Sequence, residues 1–206
     1  IFGETFTVSL VEDGFPLLQG RYIDYKQAFG ELAAMLKSAQ NNEIFKNEGC
    51  HYWTPWADKD GQLNLDYGKS WFDFNGYNQL QHIINLLNKD PNNRRLLISS
   101  WQPDNLDKLT LPCCHLLYQW YVRDNKYLDM IWYQRSVDLM VGFPYDLVVA
   151  AAFNILIANS LTRKLIPDRL IFNLGDIHIY NSHLRNTYKY IDLSLIHISE
   201  PTRLTS

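Results

Sequence analysis

From Leu147 to Leu161 the chain is apolar on every side, interrupted only by Asn154, Asn159 and Ser160. A helix of that character needs neighbours all round it, and the run is too short to cross a bilayer. It reads as a buried helix over 146–161, which requires layers of other structure around it. The 206 residues suffice for one large domain with a substantial core.

The flanking segments supply those layers. Between Phe2 and Leu10 the even positions are mostly apolar and the odd ones polar, the alternation of a half-buried strand. Glu12-Asp13-Gly14 reads as a turn. Asp24 followed by Gln27 resembles an N-terminal cap, with Tyr25, Phe29, Leu32 and Leu36 as a helical stripe behind it. By that periodicity Glu31 lies nearly opposite the stripe and is expected in solvent, although 32–36 is apolar all round. Residues 51–76, rich in Trp, Tyr, Asp and Gly, read as a long structured loop. Leu80, Ile83, Ile84 and Leu87 mark a second amphipathic helix stopped by Asp90-Pro91. A strand is expected over 95–101, a hairpin from 115–122 and 127–133, another strand over 170–174 and a last helix over 179–190. No regular βαβ rhythm or repeat emerges. The expected class is α+β, a mixed β-sheet covered by helices.

The net charge of -3 argues against general nucleic-acid binding, so an anion site must be built locally. Three cysteines, one left over from any pairing, suit a reducing compartment, and no signal peptide is visible. The expected location is cytoplasmic, without a membrane partner.

Pro112-Cys113-Cys114-His115 places thiols at the mouth of a strand. As zinc ligands they are poor, because no second spaced pair follows, and no metal is expected. A buried cysteine is usually packing; a nucleophile needs nearby cations, since the thiolate is the reactive form. Arg94-Arg95 and Arg135-Ser136 flank the thiols with guanidinium forks suited to phosphate, although paired arginines at a strand edge are most often a solvated face. In Gly175-Asp176-Ile177-His178-Ile179-Tyr180, His178 and Tyr180 are spaced to grip a sugar hydroxyl. A capped helix start with a satisfied histidine is the plainer reading there.

Taken together the motifs become specific. Asp66-Tyr67-Gly68-Lys69-x-Trp71, Asp90-Pro91-x-x-Arg94-Arg95, Pro112-Cys113-Cys114-His115-x-x-x-Gln119, Tyr133-Gln134-Arg135-Ser136-x-Asp138, Gly142-Phe143-Pro144-Tyr145-Asp146 and Gly175-Asp176-x-His178-x-Tyr180 follow in that order. The pattern strongly resembles the thymidylate synthase family, which includes phage-type deoxycytidylate hydroxymethylases, over about residues 1–190. The resemblance implies a thymidylate synthase-like fold whose sheet face forms a homodimer. It implies a catalytic domain over 1–192 and a non-family tail over 193–206, of which 194–203 resembles translated adapter read-through. Family segments at both ends are expected to be missing, with poor or no turnover as the result.

The resemblance also implies roles. Cys114, the cysteine directly before the histidine, would add to C6 of a pyrimidine. C5 could then attack the one-carbon unit of the co-substrate 5,10-methylenetetrahydrofolate. Arg135 would bind phosphate and favour the Cys114 thiolate; Arg94 and Arg95 would reach that phosphate across a symmetric dimer. Ser136 would add a phosphate contact, and His178 and Tyr180 would hold the deoxyribose hydroxyl. Glu31 would manage protons at the base's C4 substituent, and Tyr67 would belong to the proton network at C5. Asp138, Gly142, Trp53 and Trp56 would line the folate site. Gln119 and Gln134 would complete the polar lining, and His115 would order the site rather than take a proton. Asp146 stands where thymidylate synthases carry asparagine and the hydroxymethylases aspartate, which implies a preference for deoxycytidylate over deoxyuridylate. An ordinary helix-capping aspartate would leave uracil preferred. Methyl and hydroxymethyl products both stay open, as do a thymidylate synthase proper and a non-catalytic nucleotide binder. A Cys–His hydrolase lacks a histidine placed to face the thiol.

Overall fold

The computed structural model describes residues 1–18 and 21–198, with side chains through residue 191. In chain order the elements are β1 (Phe2–Ser9), α1 (Tyr25–Leu36), α2 (Asn42–Asn47), α3 (Lys69–Phe72), α4 (Gln79–Lys89), β2 (Leu97–Ser99), β3 (His115–Arg123), β4 (Tyr127–Asp138), α5 (Gly142–Asn159), β5 (Ile166–His178) and α6 (Leu184–Ile198). The strands form one mixed sheet in the order β1-β5-β4-β3-β2. Only β4 and β5 run parallel, joined through α5; the other pairs are antiparallel. Asp124 and Asn125, with φ of 54° and 52°, are the central residues of the turn that the Lys126 amide closes on the Arg123 carbonyl at 3.0 Å, within the three-residue β3–β4 loop.

Alternation along the central strands divides the sheet into two faces. Tyr118, Trp120, Met130, Trp132, Leu170 and Phe172 point into the core, where α5 covers them and α1 packs on α5. Leu97, Tyr121 and Tyr133 lie on the opposite face, and all three are exposed. Among the described residues α5 alone is long and apolar enough to cross a membrane, and most of it is buried inside this fold as the core helix. Asn154 fits that core by donating to the Leu128 carbonyl at 3.0 Å.

Several elements depart from the expected outlines. β2 is only three residues long, whereas β5 continues through Gly175 and Asp176 to His178. α5 begins at Gly142, so Asp146 lies inside its first turns and is not the cap; Asp138 accepts from the Met140 and Val141 amides at 3.2 Å instead. The stripe assigned to α1 was displaced: Tyr25 and Phe29 are exposed, and Ala28, Glu31, Leu32 and Met35 form the buried face. Small residues decide this. A Cβ on Gly30 would stand 2.3 Å from the Glu48 carbonyl oxygen, so the helix lies against the end of α2 on the side that aromatic spacing assigned to solvent. The expected boundary at 193 falls within α6, where side chains are outside the described residues.

Candidate active site

Cys114 sits where the preceding loop enters β3. Its amide donates to the Tyr67 hydroxyl at 2.6 Å, and its carbonyl accepts from the Arg135 amide at 2.8 Å. The Arg135 side chain reaches back to the same loop: Nε donates to the Cys113 carbonyl at 2.8 Å and Nη2 to the Pro112 carbonyl at 2.9 Å. The guanidinium also lies 5.4 Å from the centre of the Trp101 ring. Cys113 faces the core with its sulfur 3.8 Å from the Ser100 carbonyl oxygen. Cys114 is therefore the thiol that opens onto the adjoining cavity of about 570 Å³.

Two glycines make these approaches possible. Gly68 has φ +32°, and a Cβ there would lie 1.9 Å from the Met35 carbonyl oxygen, so the Tyr67 loop rests directly on the end of α1. A Cβ on Gly175 would lie 2.6 Å from the Arg135 carbonyl oxygen. The motif glycine thus lets β5 pass close behind the arginine.

Opposite the thiol, Glu31 accepts from the Trp53 indole at 2.7 Å and from the Tyr52 hydroxyl at 2.5 Å. Asp146 Oδ2 accepts from Gln134 Nε2 at 2.7 Å. The orientation of Gln134 is set from behind, because the Trp132 indole, which can only donate, points at its Oε1 at 3.1 Å. Trp56, Tyr145 and Leu111 give the cavity apolar walls, with Asp138 at its edge. A flat heteroaromatic ring with N–H donors fits such a wall beside a carboxylate, and Gly142 leaves space between Asp138 and Asp146.

The chain matches the family described as thymidylate synthase over residues 1–198. A curated relative from Wigglesworthia glossinidia brevipalpis, named thymidylate synthase, is 37% identical over 189 residues, covering 89% of this chain and 70% of that protein. The chain belongs to the thymidylate synthase family. Its mixed sheet with covering helices is the fold of that family, and the chain is a one-carbon transferase of this class.

Within that family frame the cavity gathers Glu31, Trp53, Trp56, Tyr67, Cys114, His115, Gln134, Ser136, Asp138, Gly142, Asp146 and Tyr180. His178 packs edge-on against Tyr180 with ring centres 5.1 Å apart. Gln119 is not brought in: it pairs with Leu97 and Ile131 on the open face of the sheet, because alternation along β3 turns it away from the core. Arg94 and Arg95 are exposed and line a separate concavity with Asp90, Asn92 and Asn93. Among the described residues no group of three or more His, Cys, Asp or Glu side chains gathers as a metal site.

Burial dominates the electrostatics. Glu31, expected in solvent from its helical position, is buried, which pushes its carboxyl up to about 7 against the Tyr52 and Trp53 hydrogen bonds. Burial, then repulsion from Glu31, pushes Asp146 up to about 8, with Gln134 opposing. Asp146 keeps one side on the cavity. The Cys114 thiol is raised, first by burial and then by Asp146, and Arg135 offsets only part of this. The expected thiolate is therefore not favoured in the free site. His115 is held down to about 3 by burial; it stays neutral, with Nδ1 2.6 Å from the Tyr118 hydroxyl and its ring 4.3 Å from that of Trp132. Its ring is packed into the core while the residue also borders the cavity.

Periodicity missed Tyr52 and the role of Trp53 in holding Glu31. One signal was available: a glutamate inside an otherwise apolar helix face needs donors to satisfy it, and a Tyr-Trp pair stands at 52–53.

Proposed function

We propose that the chain transfers a one-carbon unit from 5,10-methylenetetrahydrofolate to C5 of a pyrimidine deoxynucleoside monophosphate. The observation that carries this is Cys114, open to the cavity, with its loop tied to Tyr67 and Arg135. The sulfur adds to C6, and C5 becomes nucleophilic and bonds to the one-carbon unit. The C5 proton leaves as the bond from the one-carbon unit to the folate nitrogen breaks; the resulting exocyclic methylene takes a hydride from tetrahydrofolate or a hydroxide from water, and the sulfur is eliminated from C6. The folate supplies the carbon, and for a methyl product also the hydride. Glu31 and Asp146 face the base, Ser136 and Arg135 its phosphate, and His178 and Tyr180 its sugar. Trp53, Trp56, Asp138 and Gly142 border the folate. Because the free thiol is raised, with Arg135 offsetting only part of that, Cys114 gives up its proton as the sulfur bonds to C6.

The likeness to a thymidylate synthase supports deoxyuridylate as substrate and thymidylate as product. Asp146 favours a second reading, deoxycytidylate. With its proton retained, the carboxyl offers one donor and one acceptor, which suit N3 and the 4-amino group of cytosine. The same two roles exchanged would serve uracil. Gln134 occupies Oδ2 as an acceptor, leaving the proton to Oδ1. The family's dimeric habit would use the open sheet face and bring Arg94 and Arg95 to a neighbouring site.

C5 tritium release from each nucleotide, with the product mass, tests both readings. Exchange should vanish in Cys114→Ser and persist in Cys113→Ser. Loss of exchange in Cys113→Ser alone would overturn the nucleophile assignment. Binding of nucleotide without exchange would make this a non-catalytic relative.

A further inference from the structure

The proposed mechanism uses Glu31 but leaves its strongest polar contact unexplained. Tyr52 follows α2 in the ordered loop, and its hydroxyl is 2.5 Å from Glu31 Oε2, while the Trp53 indole holds Oε1 at 2.7 Å. The Tyr52 ring stands edge-on to Tyr145 with centres 5.4 Å apart, so both form part of the cavity wall. The buried Cys50 thiol neighbours the same hydroxyl and interacts electrostatically with both Tyr52 and Glu31. Glu31, Tyr52 and Cys50 thus form a string from the cavity into the core.

The two donors on Glu31 are not equivalent. An indole N–H can only donate, so a proton on Oε1 would confront it, whereas a phenol hydroxyl can donate to a carboxylate or accept from a carboxylic acid. When Glu31 takes a proton, Oε2 is the oxygen that can carry it without losing a partner. The Tyr52 hydroxyl then turns to accept, its own hydrogen swinging towards Cys50. No bond to carbon or sulfur changes, and one proton is gained by Glu31 from solvent or substrate.

We propose that Tyr52 is a positioning residue for this site, whose reversible hydroxyl confines the Glu31 proton to Oε2 and lets that carboxyl alternate between its two protonation states. This rests on the reading of Glu31 as the group that manages protons at the base. Among the described residues, the titratable groups facing Glu31 are Cys50 and Tyr52 from the loop, Cys114 at the head of β3 and Asp146 on α5. Asp138 acts at one remove, through Asp146. A charged Glu31 raises Cys50, Cys114 and Asp146, while Glu31 itself is raised by burial and lowered by the Tyr52 and Trp53 hydrogen bonds.

The test needs no nucleotide, so it stands apart from any failure of turnover. The chain is labelled at the glutamate side-chain carboxyl carbon, and the Glu31 resonance is assigned by its loss in Glu31→Gln. Its titration midpoint is followed in the parent and in Tyr52→Phe, which keeps the ring against Tyr145. The midpoint should rise by about one pH unit in Tyr52→Phe, a tenfold gain in proton affinity, because the hydrogen bond lost from the charged carboxylate is stronger than the one lost from the acid. An unmoved midpoint in a folded Tyr52→Phe overturns the proposal. If that variant does not fold, 3-fluorotyrosine incorporated into the parent should lower the midpoint, since a more acidic phenol donates more strongly; no displacement there also overturns it. In a chain with turnover, the pH limb belonging to Glu31 should move with the NMR midpoint. Movement of KM alone, with that limb fixed, would reduce Tyr52 to a wall residue and overturn the assignment.

Discussion

Asp146→Asn should make the protein more stable at mildly alkaline pH, by an amount that grows as pH rises. The Asp146 carboxyl is pushed up to about 8 in the folded chain, chiefly by burial, against about 3.9 in an unfolded one. The folded state therefore keeps a proton that the unfolded state has already released, so rising pH favours unfolding until the folded carboxyl also ionises. One pH unit corresponds to about 1.4 kcal/mol. From pH 6.5 to 8 this gives a loss of about 2 kcal/mol, reduced towards about 1 kcal/mol because Asp146 keeps one side on a cavity that water can enter. The window isolates this group. His115, held down to about 3, contributes with the opposite sign, and its effect is complete near the unfolded histidine value of about 6.5. Glu31, pushed up to about 7, finishes early in the window, and both terms are shared by parent and variant. Asparagine keeps an oxygen for Gln134 Nε2, so the local hydrogen bond survives. Urea unfolding followed by tryptophan fluorescence at pH 6.5, 7, 7.5 and 8 should show the parent losing about 1–2 kcal/mol more than Asp146→Asn. Parallel curves for the two proteins would refute the claim that a protonated carboxyl is buried there.

Alkylation offers a direct check on the thiol. Iodoacetamide should modify Cys114 before Cys50 and Cys113, which are buried, and the rate should be slow at pH 7 and climb steadily above it. A rate independent of pH between 6 and 8 would mean that Arg135 already holds a thiolate. Gly68→Ala should cost about 3 kcal/mol or more, since it combines a positive φ with a collision against the Met35 carbonyl. Thermal unfolding that matches the parent would show that the loop can move off α1.

The mixed sheet, the hairpin and the buried helix were legible because each rests on apolar spacing or on turn chemistry that needs no knowledge of the remaining chain. The cysteine assignment came from motif order; in the fold Cys113 faces the core and Cys114 opens onto the cavity. What periodicity could not reach were groups whose position depends on another element. Glu31 looked solvated because its helix was read alone; the Gly30–Glu48 approach and the Tyr52 and Trp53 donors lie elsewhere in the chain. The charge state of Cys114 failed to follow from its arginine neighbour for a related reason. Arg135 is adjacent across two strands, but burial and Asp146, which comes from α5, outweigh it. Gln119 looked polar enough for the cavity, and only strand register sends it to the other face.

The indole of Trp132 carries one further consequence. Deep in the core it looks like filler, yet its single N–H forbids the Gln134 amide from turning over, and that amide in turn decides which oxygen of Asp146 stays unprotonated. Replacing Trp132 with phenylalanine would preserve much of the bulk and erase the instruction. Packing of the interior and the way Asp146 is presented to the cavity are therefore tied together through one amide, and an altered residue at this spot in the core would also change the cavity's polar lining.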